Sequence, residues 1–301
     1  MQQEKDCVQV SIGNKGMKWW TIVLSSWGIF VMGLFISTAV GQTVSHAGYF
    51  EPLVHVLQAV LLAFIVLPSL YWLLKKSNSR PFLVIGLPSV KRAFLRFITG
   101  AGLVAVLSGS GFAIAEWLGW IRITEFHFSM SLISIALLNV VVAFFYEAFP
   151  EELTFRRAVY SALSDRFGRI FALFLQPVVF ALAPITVSGL HLITGFEAAP
   201  ITRDYVILLV TFGIILQLLR LVTNSLWTSI GFHLTYLFNS RFIVLQREAR
   251  FLTYDEIEPG TGELFIIFMM TLLMGIVILI SVTIVRRLTI GRHNKEGFNH
   301  V

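Results

Sequence analysis

Phe144-Phe145-Tyr146-Glu147-Ala148-Phe149-Pro150-Glu151-Glu152-Leu153-Thr154-Phe155-Arg156-Arg157 interrupts a chain that otherwise reads as oil. Before it lies an apolar run of about twenty residues, the length that crosses a bilayer. After it come Arg166 and Arg169, and then apolar sequence resumes. Three carboxylates and two guanidiniums therefore share one short window of a chain that is only 13% charged. Charge at membrane depth costs roughly 2.5–3.5 kcal/mol per group on insertion scales, so it marks a functional-site hypothesis by default. On a helix, Glu147 and Glu151 lie four apart on one face, and Glu152 and Arg156 lie four apart on an adjacent one. The spacing predicts that Arg156 holds Glu152 and leaves Glu151 free.

Composition sets the class. The chain has 301 residues and is 56% hydrophobic, in repeated runs long enough to span a membrane. The expected fold is an all-α polytopic transmembrane bundle of about eight spans. The one cysteine, Cys7, lies in a polar N-terminal tail, which excludes a disulfide framework and a cysteine metal site. The first apolar run is too long for a signal-peptide core and is followed by more spans. A net charge of +6 reads as positive-inside bias, not as nucleic-acid affinity. The sequence has no Gly-rich phosphate loop, no His-Glu-x-x-His and no Gly-x-Ser-x-Gly.

Spans are expected at 19–40, 52–74, 97–118, 129–149, 170–192, 205–219, 225–240 and 264–285. Gly41 to Glu51 reads as a short loop. Gly100, Gly102, Ser108, Gly109, Ser110 and Gly111 suit close helix packing in the third span. Eight spans put both termini on one side. With the loops 75–96 and 150–169 and Arg220, that side carries 18 of the 23 Lys and Arg. It is therefore assigned to the cytoplasm, and Glu151 to the neighbourhood of the cytoplasmic face. The expected setting is a multi-pass protein of a bacterial-type cell membrane, in contact with membrane lipids.

The charged window has two readings. Pro150-Glu151-Glu152 suits the first turn of a cytoplasmic helix, with the arginines facing headgroups. The sharper reading needs partners. His191 lies late in the fifth span and His233 in the seventh, within Ser225-Leu226-Trp227-Thr228-Ser229-Ile230-Gly231-Phe232-His233. A lone histidine in a span is more often a packing residue. A carboxylate pair with histidines on neighbouring helices can instead activate water and stabilise an oxyanion. A third possibility is a transporter, with Glu147, Glu151 and Glu152 as a proton or cation relay; no inverted repeat is visible to support it.

Glu151-Glu152-x-x-x-Arg156 resembles the Glu-Glu-x-x-x-Arg signature of the CPBP family of intramembrane peptidases. That family includes the CAAX prenyl endopeptidases and the bacterial Abi proteins linked to bacteriocin self-immunity. The similarity extends through Phe155-Arg156, Ser161-Ala162-Leu163 and Phe167-Gly168, and resumes from Ser225-Leu226-Trp227 to Gly231-Phe232-His233. It implies that Glu151 is the base that activates water. Glu152 and Arg156 would support it, and His233 would be the third-motif histidine. It also implies a metal, zinc, with His191 and His233 as the imidazole ligands; because those two are expected at different depths, any metal is expected to be bound weakly or not at all. Two departures stand out. The second motif falls on Phe180-Ala181-Leu182-Ala183-Pro184, with proline at the histidine position and His191 seven residues on. Four after His233 is Leu237, not Asn or Asp; Tyr236 and Asn239 are its polar neighbours.

The expected division is a cytoplasmic tail at 1–18 and three N-terminal helices at 19–128. A CPBP-like core follows at 129–245, then a last helix and cytoplasmic tail at 246–301. The expected function is an intramembrane endopeptidase acting on a membrane-tethered peptide or protein. The alternative is a catalytically impaired relative that serves as an immunity or scaffold protein. The fourth helix is expected to run past Glu151 to about Ser164, with Gly168 as its stop. That would set Pro184 level with Glu151 and His191 about two turns beyond.

Overall fold

The computed structural model describes residues 17–77, 89–245, 247–257 and 274–283. It is an all-α membrane bundle. Six helices among the described residues are long and apolar enough to cross a bilayer. They are α1 (Trp19–His46), α2 (Glu51–Ser77), α3 (Val90–Trp117), α4 (Met130–Phe167), α5 (Arg169–Thr194) and α6 (Arg203–Thr223). Two shorter helices are α7 (Leu226–Asn239) and α8 (Met274–Thr283). The seventh expected span is thus a helix of 14 residues. Most of the eighth, at 264–285, lies outside the described residues.

Several expected boundaries move. The fourth span, expected to end at 149, belongs to a helix of 38 residues with Glu151 near its middle. Gly41 does not open a loop, because α1 continues to His46. The glycine is there for a close approach: a Cβ would lie 2.0 Å from Gln58 Nε2 on α2. The third span begins seven residues earlier than expected, so Lys91, Arg92 and Arg96 ride on the first turns of α3. Gly168, with φ +83°, ends α4, and α5 starts immediately after it.

Two apolar clusters are the largest among the described residues. One joins α1, α2, the second half of α4, and α5, through Phe30, Leu62, Val66, Phe155, Val159, Phe180 and Ala183. The other joins α3, α6, α7 and α8, through Val104, Leu107, Phe212, Ile215, Phe232 and Leu279. Helix α7 is pressed against α3 backbone to backbone. A Cβ on Gly100 would lie 2.0 Å from the Thr228 carbonyl oxygen, and one on Gly231 would lie 2.1 Å from that of Phe97. Any larger residue at either position forces the helices apart. The other expected packing glycines of α3, Gly102 and Gly109, meet nothing within 4 Å.

A two-stranded antiparallel sheet, β1 (Ile121–Phe126) with β2 (Leu252–Glu256), covers one end of the bundle. Its register slips between Ile123 and Glu125. The Tyr254 hydroxyl donates to the Val244 carbonyl at 2.6 Å, tying the sheet to the chain just after α7. The sequence reading did not foresee this sheet.

Candidate active site

The charged window is wound differently from an ordinary helix. Phe144–Ala148 and Glu152–Val159 are π-helical, with only Phe149–Glu151 α-helical between them. Pro150 supplies a cause, since it has no N–H to give the Tyr146 carbonyl four residues back. The Thr154 hydroxyl donates to the Pro150 carbonyl at 2.7 Å and satisfies that group from the other side. Such π turns occur frequently at functional sites because they re-aim side chains that a regular helix would place elsewhere. Here they bracket Glu151.

The three carboxylates end in three different environments. Glu147 is bound by Arg241, which also donates to Asn139 Oδ1 at 3.2 Å. Arg241 stands in the π turn Ser240–Val244 after α7. The charge count had placed it with the loops of the far side, yet it belongs to the bundle. Glu152 is wholly buried. Its Oε1 lies 3.4 Å from Arg156 Nε and 3.5 Å from His233 Nδ1, and the Ser229 hydroxyl donates to its Oε2. Ser229 Oγ also stands 3.2 Å from the Leu216 carbonyl, which fastens α7 to α6 at this level. Glu151 differs from both: among the described residues it has no ion pair with Lys or Arg. Its Oε2 faces His233 Nε2 across 3.9 Å.

His233 therefore touches both acids, one with each ring nitrogen. The gap on the Glu151 side is too long for a direct hydrogen bond and suits a bridging water. On the Glu152 side the 3.5 Å approach is an ion-pair contact without a regular hydrogen bond. The site sits at the seam of the two apolar clusters, with its acids on α4 and its imidazole and hydroxyl on α7. Arg156 is wholly buried beneath it, its guanidinium stacked 4.4 Å from the Phe180 ring centroid. Removing one member of such a buried pair typically costs about 3–5 kcal/mol, because the other charge is stranded.

Of the remaining expected site residues, His191, Tyr236 and Asn239 have partners of their own. Phe180 stacks on Arg156 and packs edge-on against Phe155. Pro184 follows it by one turn in a helix that both Pro177 and Pro184 leave unbroken. His191 is eleven residues beyond Phe180, about 16 Å along the helix. Its Nε2 pairs with the Thr38 hydroxyl at 2.9 Å, and its ring sits between Phe35 and Phe196. Tyr236 packs on Phe212, with centroids 4.6 Å apart. Asn239 donates to Ser108 Oγ on α3 at 2.9 Å. Ser229, Arg241 and Asn139 were not singled out from the sequence. Arg241 was visible as an arginine eight residues after His233, and only its distance to Glu147 gives it meaning.

The donor set does not fit zinc. His191 and His233 have separate partners, and among the described residues no group of three His, Cys, Asp or Glu is placed to hold a metal. One imidazole nitrogen and one free carboxylate fall short of the three protein ligands of a catalytic zinc site.

Residues 132–238 match the family model described as type II CAAX prenyl endopeptidase Rce1-like. Over this segment the chain is similar to the CAAX-protease-like core of the CPBP kind. The segment covers about a third of the chain and contains Glu151, Glu152, Arg156, His191 and His233. Helices α1 to α3 lie outside it, as do Arg241 and the sheet. No curated protein and no solved structure matches the chain. The six long apolar helices make this a multi-pass membrane protein, and the matched segment makes it similar to a protease family over about a third of its length.

Proposed function

We propose that the protein is an intramembrane endopeptidase in which Glu151 activates a water held between its carboxylate and His233 Nε2. The observation that carries this reading is the inequality of the three acids: Glu147 and Glu152 each have their own arginine, and among the described residues Glu151 has none. Glu151 is the group left to accept a proton. Water bound at Glu151 Oε2 loses that proton as it attacks a peptide carbonyl, and the proton passes from Glu151 to the leaving amine. His233, steadied by Glu152 and Ser229, orients the water. The substrate class that suits a site enclosed by membrane helices is a peptide or protein tethered to the bilayer. The excess of Lys and Arg in the two tails and in residues 75–96 supports a reading in which both termini face the cytoplasm of a cell membrane.

The test uses the full chain in lipid nanodiscs, presented with lipidated fluorogenic peptides, isoprenylated cysteine peptides among them. Products are identified by mass spectrometry. Cleavage by the wild type and its loss in Glu151→Gln, with unfolding unchanged, is the expected result. Cleavage that survives Glu151→Gln overturns the mechanism.

A second reading is favoured by a specific observation. Proline stands at the second-motif position, and His191 is committed to Thr38 on α1. The core would then bind a membrane-tethered peptide without cutting it, as an immunity or scaffold protein does. The same nanodiscs distinguish the two: binding of the lipidated peptide with no product, in wild type and variant alike, supports this reading.

A further inference from the structure

Three polar side chains behind the Glu152 cage have no role in the chemistry just described. Arg156 on α4, Gln176 on α5 and Gln217 on α6 are each 0% exposed. Among the described residues, none of the three Arg156 nitrogens finds a hydrogen-bond partner, although Nε faces Glu152 as an ion pair. The amide nitrogen and oxygen of both glutamines are equally unpartnered.

Neighbouring contacts bring the helices that carry these three side chains together at one level. Gln176 is one turn before Phe180, on whose ring the Arg156 guanidinium lies. Gln217 follows Leu216, whose carbonyl sits 3.2 Å from the same Ser229 hydroxyl that donates to Glu152. Helices α5 and α6 nearly touch at this level, since a Cβ on Gly213 would lie 2.9 Å from Pro177 Cβ. Gln176 is next to that contact and Gln217 is one turn from it. Pro177 adds to the local polarity, because it has no N–H to give the Leu173 carbonyl.

Polar groups buried in this number are costly unless something bonds to them. Direct bonds among the three are not formed. Water is the ligand that fits, because it offers donors to the glutamine oxygens and acceptors to the guanidinium, and it spans gaps longer than one hydrogen bond. We propose that α4, α5 and α6 enclose an internal hydration site in which Gln176 and Gln217 hold ordered water against the Arg156 guanidinium. The two glutamines are positioning residues. They fix Arg156 on Phe180, and Arg156 in turn fixes Glu152 toward His233. The assignment stands whether or not the chain cleaves a peptide.

The experiment uses full-length, arginine-15N-labelled protein in nanodiscs and solid-state NMR. The Arg156 guanidinium signal is assigned by its disappearance in Arg156→Lys. A cross-peak between that guanidinium and water is expected in the wild type and is expected to vanish in the Gln176→Leu, Gln217→Leu double variant. A wild-type spectrum without that cross-peak overturns the proposal, as does a cross-peak that the double variant leaves unchanged. A thermal cycle gives an independent reading. Gln217→Leu should lower the unfolding temperature clearly in the wild type and by less than half as much in an Arg156→Met background. Equal drops in the two backgrounds would show that the glutamine does not act through Arg156.

Discussion

The neighbourhoods of His233 and His191 hold the same residue type at similar burial and give it opposite assignments. His233 is 3% exposed and faces a carboxylate with each ring nitrogen. His191 is 4% exposed and faces a threonine hydroxyl and two phenylalanine rings. Thr38 also lies 2.7 Å from the Leu34 carbonyl. With its hydroxyl proton directed there, its oxygen is left to accept from the Nε2–H of His191. Just beyond, Gln42 bonds both the amide and the carbonyl of Glu197, at 2.9 and 2.8 Å. That end of α5 is therefore a clamp onto α1, built from neutral groups. The His233 end is built from charges. Burial alone does not make a histidine chemical; the partners on the facing helix do.

The largest expected effect lies in catalysis, and it breaks the comparison if it fails. His233→Ala should lower peptide cleavage by about 10²-fold or more, the range lost with a positioned proton-handling group. His191→Ala should leave cleavage within about twofold, because it touches neither Glu151 nor Glu152. Rates on the same lipidated peptide decide the matter. If the two variants lose activity equally, His191 reaches the site in a conformation other than this one.

The next effect is on stability. Arg156→Met should cost about 3–5 kcal/mol, because it strands Glu152 in a fully buried position. Glu151→Gln should cost under about 1 kcal/mol, since no arginine depends on it. Unfolding in mixed micelles measures both. Comparable losses would mean that the two acids share one network rather than dividing into a caged one and a free one.

The smallest effect sharpens the His191 side. Thr38→Val removes one neutral hydrogen bond and should cost about 0.5–1.5 kcal/mol. The loss should not add to that of His191→Phe, because both variants break the same contact. Full additivity in unfolding measurements would show that the Thr38 contact contributes nothing.

Much of the bundle was legible in the sequence. Apolar runs of about twenty residues name membrane helices whatever their neighbours are, because a bilayer leaves the backbone few alternatives. The Glu152–Arg156 pair was also legible, since four residues on a helix bring two side chains together by geometry alone. Boundaries were less so. Gly41 reads as a loop residue until Gln58 is found against it, and Gly168 reads correctly as a stop because its left-handed backbone is a local property. The alternation of Ile121-Arg122-Ile123 and Leu252-Thr253-Tyr254 carried a strand signal, but two short segments 130 residues apart declare a sheet only when they pair.

What the sequence determined by itself is therefore local: membrane helices, a charge window at one place in the fourth of them, a turn at Gly168, and the reach of Arg156 to Glu152. What only the tertiary structure decided is which groups from different helices meet. Arg241 on Glu147, Ser229 and His233 on Glu152, and His191 on Thr38 all depend on helix register and rotation. The physical reason is that lipid is as apolar as the helix faces. Span hydrophobicity does not choose between rotations; close glycine contacts and buried polar bonds do.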